Sequence, residues 1–269
     1  MSGHGLVEAR ALTKSYPVRS RVLERRVNHT TVVDAVDLTV RDGEFLGLVG
    51  ESGSGKSTIG RMVLGLLPPT SGTVEFGGRD VTAPTPRQLR ALRPARQMVF
   101  QDPYASLNPR MTATATVREA LDVNRLGTPA ERVRRVAELF DLVRLDSALL
   151  DRLPHELSGG QRQRVCLARA LATSPRFLVA DEALASLDVS IQAQIADLLL
   201  DLRDELGIAC LFITHDLAMA GYLCDRLVVL RRGRVVEQGD AETVLVSPQK
   251  DYTRALIEAV PVPCVDRPG

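Results

Sequence analysis

The sequence predicts an α/β fold: a mainly parallel sheet, antiparallel β elements at the N-terminus and an inserted α-helical subdomain. Three observations carry this. Short apolar runs at Phe45–Val49, 177–180 and Ala209–Thr214 show no alternation, as strands covered on both faces do. Helical text separates those runs, and strands alternating with helices argue for a parallel sheet. From residue 102 to 174 the text turns to helix formers, which marks an insertion. A single domain over residues 1–269 is therefore expected. It comprises a core lobe (1–101 and 175–240), a helical subdomain (102–174) and a C-terminal extension (241–269).

Strand-like text opens at 6–12 and resumes at 32–40. Between them an Arg-rich loop over 17–31 carries Arg19, Arg21, Arg25 and Arg26, a run that reads as a solvated surface. After the apolar run at Phe45–Val49 a helix starts at Lys56, with Ile59, Met62, Val63 and Leu66 on one face. Pro68 and Pro69 cannot continue it. Residues 73–76 read as a strand, 96–101 as a strand with a polar end, and 102–110 as turn-rich. Thr128-Pro129-Ala130-Glu131 is a capping box with proline at the first helical position. Val133, Val136, Ala137, Phe140 and Val143 follow it at helical spacing. Ile191, Ile195, Leu198, Leu199, Leu202 and Leu206 give a long helix its inner face. A strand pair at 226–230 and 235–238 and two short helices finish the chain.

Bulk composition narrows the function. The 269 residues are 45% hydrophobic, an ordinary globular value, and can bury a sizeable core. Lys and Arg number 34 against 33 Asp and Glu, so the net charge of +1 gives no pull toward nucleic acid or acidic lipid. Cys166, Cys210, Cys224 and Cys264 have neither C-x-x-C spacing nor histidines at metal-site intervals. A reduced, cytosolic location is expected. No run approaches the roughly 18 apolar residues that a bilayer requires, and residues 1–5 lack the layout of an export signal. A membrane role is expected only through a partner.

The chemistry concentrates in a few motifs. Gly50-Glu51-Ser52-Gly53-Ser54-Gly55-Lys56-Ser57 matches G-x-x-x-x-G-K-[ST], with a buried strand before it and a helix, through Thr58, after it. Such a loop aims backbone N–H groups and a helix N-terminus at phosphate oxygens. Lys56 is expected at the β- and γ-phosphates and Ser57 at Mg²⁺. Asp181 and Glu182 end an apolar strand. Asp181 is placed to hold Mg²⁺, and Glu182 to polarise an attacking water. Ser158-Gly159-Gly160-Gln161 fits a helix-capping box. Two consecutive glycines cost helix stability, so close approach of a ligand is expected there. His215 follows the strand Ala209–Thr214, where it would meet the γ-phosphate, and Gln101 closes another, where it could contact Mg²⁺. Tyr16 is a candidate for stacking on a base.

These residues, in this order, resemble the ATP-binding cassette ATPases over nearly the whole chain. The resemblance makes Gly50 to Ser57 the Walker A loop, Gln101 the Q-loop and Leu157 to Gln161 the signature. It makes 177–181 the Walker B strand with Glu182 as base, Ala185-Ser186-Leu187-Asp188 the D-loop, His215 the switch histidine and Tyr16 the A-loop aromatic. The fold it implies is a P-loop NTPase core. A narrower similarity joins Phe100 to Met111, Ser186 to Gln194 and Asp251 to Leu256, with the Val260-Pro261-Val262-Pro263 that follows, to the peptide and nickel importer branch. With Cys264 alone near the C-terminus, no iron–sulfur cluster is expected. Ala183 stands where proline is usual, and Ala185-Ser186 where Ser-Ala is usual.

The resemblance implies an importer ATPase on the cytoplasmic face of the cell membrane. Its implied partners are two integral-membrane permease subunits, a second ATPase subunit of the same or a different kind, and, indirectly, an extracytoplasmic binding protein. ATP held by one subunit would be closed over by Ser158, Gly159, Gly160, Gln161 and Asp188 of its mate. Peptide is the first expectation for cargo and nickel the second. Two non-transport readings stand beside it: a subunit of a phosphonate-degrading complex, or a cassette acting on DNA or ribosomes. The short interval between Walker A and signature, without sustained heptads, disfavours the latter.

Overall fold

The computed structural model describes residues 5–18 and 28–259. Chain order begins β1 (Val7–Val18), β2 (Asn28–Val40), β3 (Phe45–Val49), α1 (Lys56–Val63), β4 (Ser71–Phe76), β5 (Arg79–Asp80) and α2 (Pro86–Leu92). It continues with β6 (Arg96–Val99), α3 (Pro103–Ser106), α4 (Ala113–Val123), α5 (Pro129–Leu142), α6 (Gly159–Leu171), β7 (Phe177–Asp181) and α7 (Val189–Leu206). Last come β8 (Ala209–Thr214), α8 (Leu217–Leu223), β9 (Arg226–Arg231), β10 (Arg234–Asp240), α9 (Ala241–Val246) and α10 (Asp251–Glu258).

Two sheets organise these elements. One is antiparallel, in the order β2-β1-β4-β5; the other runs β10-β9-β3-β8-β7-β6 and is parallel except at β10. The apolar runs explain the layering. On β3, Leu46 and Leu48 face the cluster shared with the antiparallel sheet, while Phe45 and Val49 join the cluster shared with the helices. Strand β8 divides likewise, Leu211 and Ile213 to one side, Cys210 and Phe212 to the other. Alternation is hidden in the sequence because both faces are covered. Cys166, Cys210 and Cys224 are free and buried, and burial pushes the Cys210 thiol up to about 12. No helix among the described residues is long and apolar enough to cross a membrane.

Several expected boundaries move. The ladder of β1 and β2 continues to Val18 opposite Asn28, so the loop expected over 17–31 is strand at both ends. Arg19, Arg21, Arg25, Arg26 and Cys264 lie outside the described residues. Helix α1 stops at Val63 rather than near the prolines. Gly65 takes φ +70, its N–H bonds to the carbonyl of Met62, and that of Leu66 to Arg61. This glycine-terminated closure leaves Leu66 exposed and off the expected inner face. In α5 the buried stripe is Val136, Leu139 and Phe140; Val133 and Ala137 face outward. Leu206 is likewise exposed at the end of α7. Helix α2, with a Thr85–Gln88 capping box, was not foreseen. Part of the turn-rich 102–110 stretch is the single turn α3, capped by Asp102.

Candidate functional site

Strand register brings the motifs together. Val49 pairs with Thr214 across β3 and β8, and Asp181 pairs with Ile213 across β7 and β8. The phosphate-binding loop, the Asp181-Glu182 pair and His215 therefore all leave the carboxyl edge of one parallel sheet, where ligands of such sheets bind.

In the loop, Gly55 adopts φ +106, and a β carbon there would lie 2.7 Å from the carbonyl oxygen of Val32. Only glycine fits this turn into α1. Ser52 and Gly53 are exposed, and the space around Gly53 is open. The Lys56 ammonium is buried, donating to the carbonyls of Gly50 at 2.7 Å and Glu51 at 2.8 Å. Burial lowers its pKa, while Glu182, Asp181 and Glu51 oppose that shift. A buried ammonium surrounded by carbonyls and carboxylates is a cation held ready for an anion.

Ser57 Oγ donates to Asp181 Oδ1 at 2.7 Å. Burial raises the Asp181 carboxyl above its ordinary value, against the Ser57 hydrogen bond and the charges of Arg61 and Lys56. A hydroxyl and a carboxylate, both hard oxygen donors, brought together at a part-buried site suit a small divalent cation. Ser57 and Asp181 thus fit magnesium. Gln101, also expected at the metal, points instead to Glu182: its Nε2 donates to Glu182 Oε2 at 2.9 Å.

Glu182 is held from several sides. Its backbone lies at φ +48 and its N–H donates to the carbonyl of Ile213 at 2.9 Å. That left-handed conformation is uncommon outside glycine, and such strain clusters at functional sites. Oε1 lies 3.6 Å from His215 Nδ1. Oε2 is therefore taken by Gln101, while His215 stands beside Oε1. A further tie was not foreseen: the Ser186 hydroxyl donates to the carbonyl of Gln101 at 3.3 Å, joining 185–188 to the residues just past β6, which ends at Val99 rather than at 101. Its only trace in the sequence is the exchanged Ala185-Ser186 order.

Ser158 to Gln161 form the expected capping box at the start of α6. Ser158 N–H donates to Gln161 Oε1 at 2.8 Å, and Gln161 N–H to Ser158 Oγ at 3.3 Å. No hydrogen bond joins these residues to the phosphate loop among the described residues. The expected reason for both glycines changes in part. A β carbon on Gly160 would meet Ile191 Cγ2 at 2.7 Å, so packing of α6 on α7 already demands glycine there. Gly159 has looser surroundings, with Leu187 at 3.3 Å from the same construction. Asp188 is exposed and caps α7 through its carbonyl, which accepts from Ile191 and Gln192. Thr58 continues α1 beside the loop. Tyr16 is exposed in β1, with the Lys14 ammonium 5.3 Å from its ring centre.

Comparison with known proteins agrees with this geometry. The ABC transporter family profile matches residues 33–185. A Brucella ovis protein named putative peptide import ATP-binding protein is 47% identical over 97% of this chain and 80% of its own length. A Brucella abortus protein of the same name is 54% identical over 85% of this chain and 69% of its own. Among solved structures, a dimeric post-hydrolysis ATP-binding cassette with ADP and Pi superposes with TM-score 0.78 at 30% identity, covering 87% of this chain and 98% of that one. A component of the ABC transporter complex cbiONQ from Clostridium perfringens superposes with TM-score 0.78 at 27% identity, covering 91% and 92%.

Proposed function

From the premise that this chain belongs to the ABC transporter family of ATP-binding proteins, we propose that it is the ATP-hydrolysing subunit of a bacterial peptide importer. The observation that carries the chemistry is the convergence of Lys56, Ser57, Asp181, Gln101 and Glu182 at one sheet edge. The names of the relatives support peptide as cargo.

Lys56 releases a loop carbonyl and pairs with the β- and γ-phosphates, whose negative charge repays its burial. Ser57 and Asp181 would hold magnesium, which would supply positive charge to the phosphates. Glu182, released by Gln101 and His215, accepts hydrogen bonding from the attacking water. General-base help of this kind is worth ~10²–10⁴-fold in rate. Gln101 and His215 then answer to the γ-phosphate rather than to the base. Tyr16 stacks on adenine. Ser158, Gly159, Gly160, Gln161 and Asp188 of a second ATPase subunit close over the nucleotide, so ATP favours the closed pair by its greater affinity for it. Two permease subunits in the membrane dock between core and helical lobes, where Phe100 and Tyr104 are exposed. The chain works at the cytoplasmic membrane face, and an extracytoplasmic binding protein delivers cargo.

The direct test is ATP turnover by the purified chain and its Glu182→Gln variant. Wild type is expected to hydrolyse ATP. The variant should bind it with near-normal affinity but turn over at least ~100-fold more slowly. Wild-type turnover in the variant removes Glu182 from its role.

A further inference from the structure

The C-terminal helix α10 has no part in the chemistry above, yet it is fastened to the β9–β10 hairpin, which in turn bonds to the phosphate-binding loop. Glu237 of β10 accepts from the backbone N–H groups of Gln249 at 2.7 Å and Lys250 at 3.2 Å, fixing the residues that lead into the helix. Thr253 is fully buried. Tyr252 lies against Arg231, whose guanidinium carbon is 4.5 Å from the ring centre.

Arg231 ends β9 and enters the turn to β10. The N–H of Gly233 in that turn donates to the carbonyl of Ser54 in the loop at 2.9 Å. The loop packs closely on β9 and the turn on β2. A β carbon on Gly50 would stand 2.2 Å from the carbonyl oxygen of Leu230, and one on Gly233 2.4 Å from that of Val32. The Tyr252 hydroxyl is buried beside Glu51 of the loop. Burial raises that phenol, and Glu51 is the loop residue acting on it. The carbonyl of Glu51 is one of the two that hold Lys56.

We propose that Tyr252 is a positioning residue for the phosphate-binding loop, bracing it through Arg231 and the β9–β10 turn. Helix α10 therefore sets how tightly nucleotide is held rather than how fast the bound nucleotide is hydrolysed. The inference rests on the ATP-binding reading above.

The experiment uses the full chain and its Tyr252→Ala, Tyr252→Phe, Arg231→Ala and doubly substituted Tyr252→Ala/Arg231→Ala variants. A fluorescent ATP analogue reports Kd, and ATP hydrolysis gives KM and kcat, with circular dichroism confirming folding. Tyr252→Ala is expected to weaken Kd and raise KM roughly two- to five-fold, the change that a part-exposed cation–π contact commands. Its kcat should stay at the wild-type value. Tyr252→Phe should keep the wild-type Kd, because the ring remains. Arg231→Ala should match Tyr252→Ala, and the double variant should be no worse than either. Unchanged Kd in folded Tyr252→Ala, or additive losses in the double variant, overturns the proposal. If Tyr252→Ala is unfolded, the Arg231→Ala and Tyr252→Phe results decide alone by the same criteria. Wild type that binds no nucleotide sinks the underlying reading instead, so the two failures are distinguishable.

Discussion

Asp181 shows how a buried charge couples binding to stability. Burial is the largest influence on it and raises its pKa. For an acid with a raised folded pKa, the ionised form is the penalised one. Stability is therefore greatest below the unfolded value and is lost as pH rises through the folded one. Asp181→Asn removes the penalised charge while Oδ1 can still accept from Ser57. The variant should melt above wild type near neutral pH. Its advantage should shrink as the pH falls through the raised Asp181 pKa, and magnesium-dependent nucleotide binding should be lost. Thermal melts of both proteins across that range check this; a wild type more stable at every pH contradicts it. Glu182 was legible as a carboxylate beside Asp181, but its φ of +48 and its engagement by Gln101 and His215 were not. Side-chain pairings between strand ends depend on register, which no local motif encodes. Ser186→Ala removes a single exposed, neutral hydrogen bond to Gln101. Such bonds contribute about 0.5–1.5 kcal/mol at most, so kcat is expected to change by less than about ten-fold and melting by little. A loss as deep as that of Glu182→Gln would make Ser186 far more than a tie.

Among the elements, α6 carries two demands on the same residues. Its capping box was legible because Ser158 and Gln161 stand three apart, a spacing with a local mechanism. The burial of Gly160 was not, because Ile191 is remote in the chain and only the approach of α6 to α7 reveals it. The two demands separate by substitution. Gly160→Ala should gain about 1 kcal/mol of helix propensity yet lose about 1–3 kcal/mol to overpacking, lowering the melting temperature. Adding Ile191→Ala removes the Cγ2 atom that the new methyl meets and should recover most of that loss. If the signature also closes on nucleotide in a partner, ATPase activity stays impaired in the recovered double variant. Full recovery of both properties leaves Gly160 with packing alone. Helix α1 teaches the same limit: Ile59, Met62 and Val63 were assigned correctly, but Leu66 lies past the closure at Gly65. An apolar residue at helical spacing says nothing about whether the helix has already ended.

For the whole molecule, the mainly parallel character of the larger sheet was the most legible feature. Buried parallel strands announce themselves as unbroken apolar runs, and the runs of β3, β7 and β8 lead into Gly50, the Asp181-Glu182 pair and His215 respectively. The antiparallel sheet was only partly read, since β1 and β2 extend further than their apolar text and β5 is two residues long. Within one chain, the phosphate loop, Asp181 and Glu182 are assembled, whereas Ser158 to Gln161 bond among themselves. Such a division is what a pocket completed by a second subunit requires. The mass of the Glu182→Gln protein in solution, alone and with any co-purifying ATPase partner, tests this most directly when measured with magnesium-ATP and with ADP. The account predicts a pair of ATPase subunits with ATP, single subunits with ADP, and no pairing after Ser158→Arg. Saturating ATP bound to subunits that stay single throughout would contradict it.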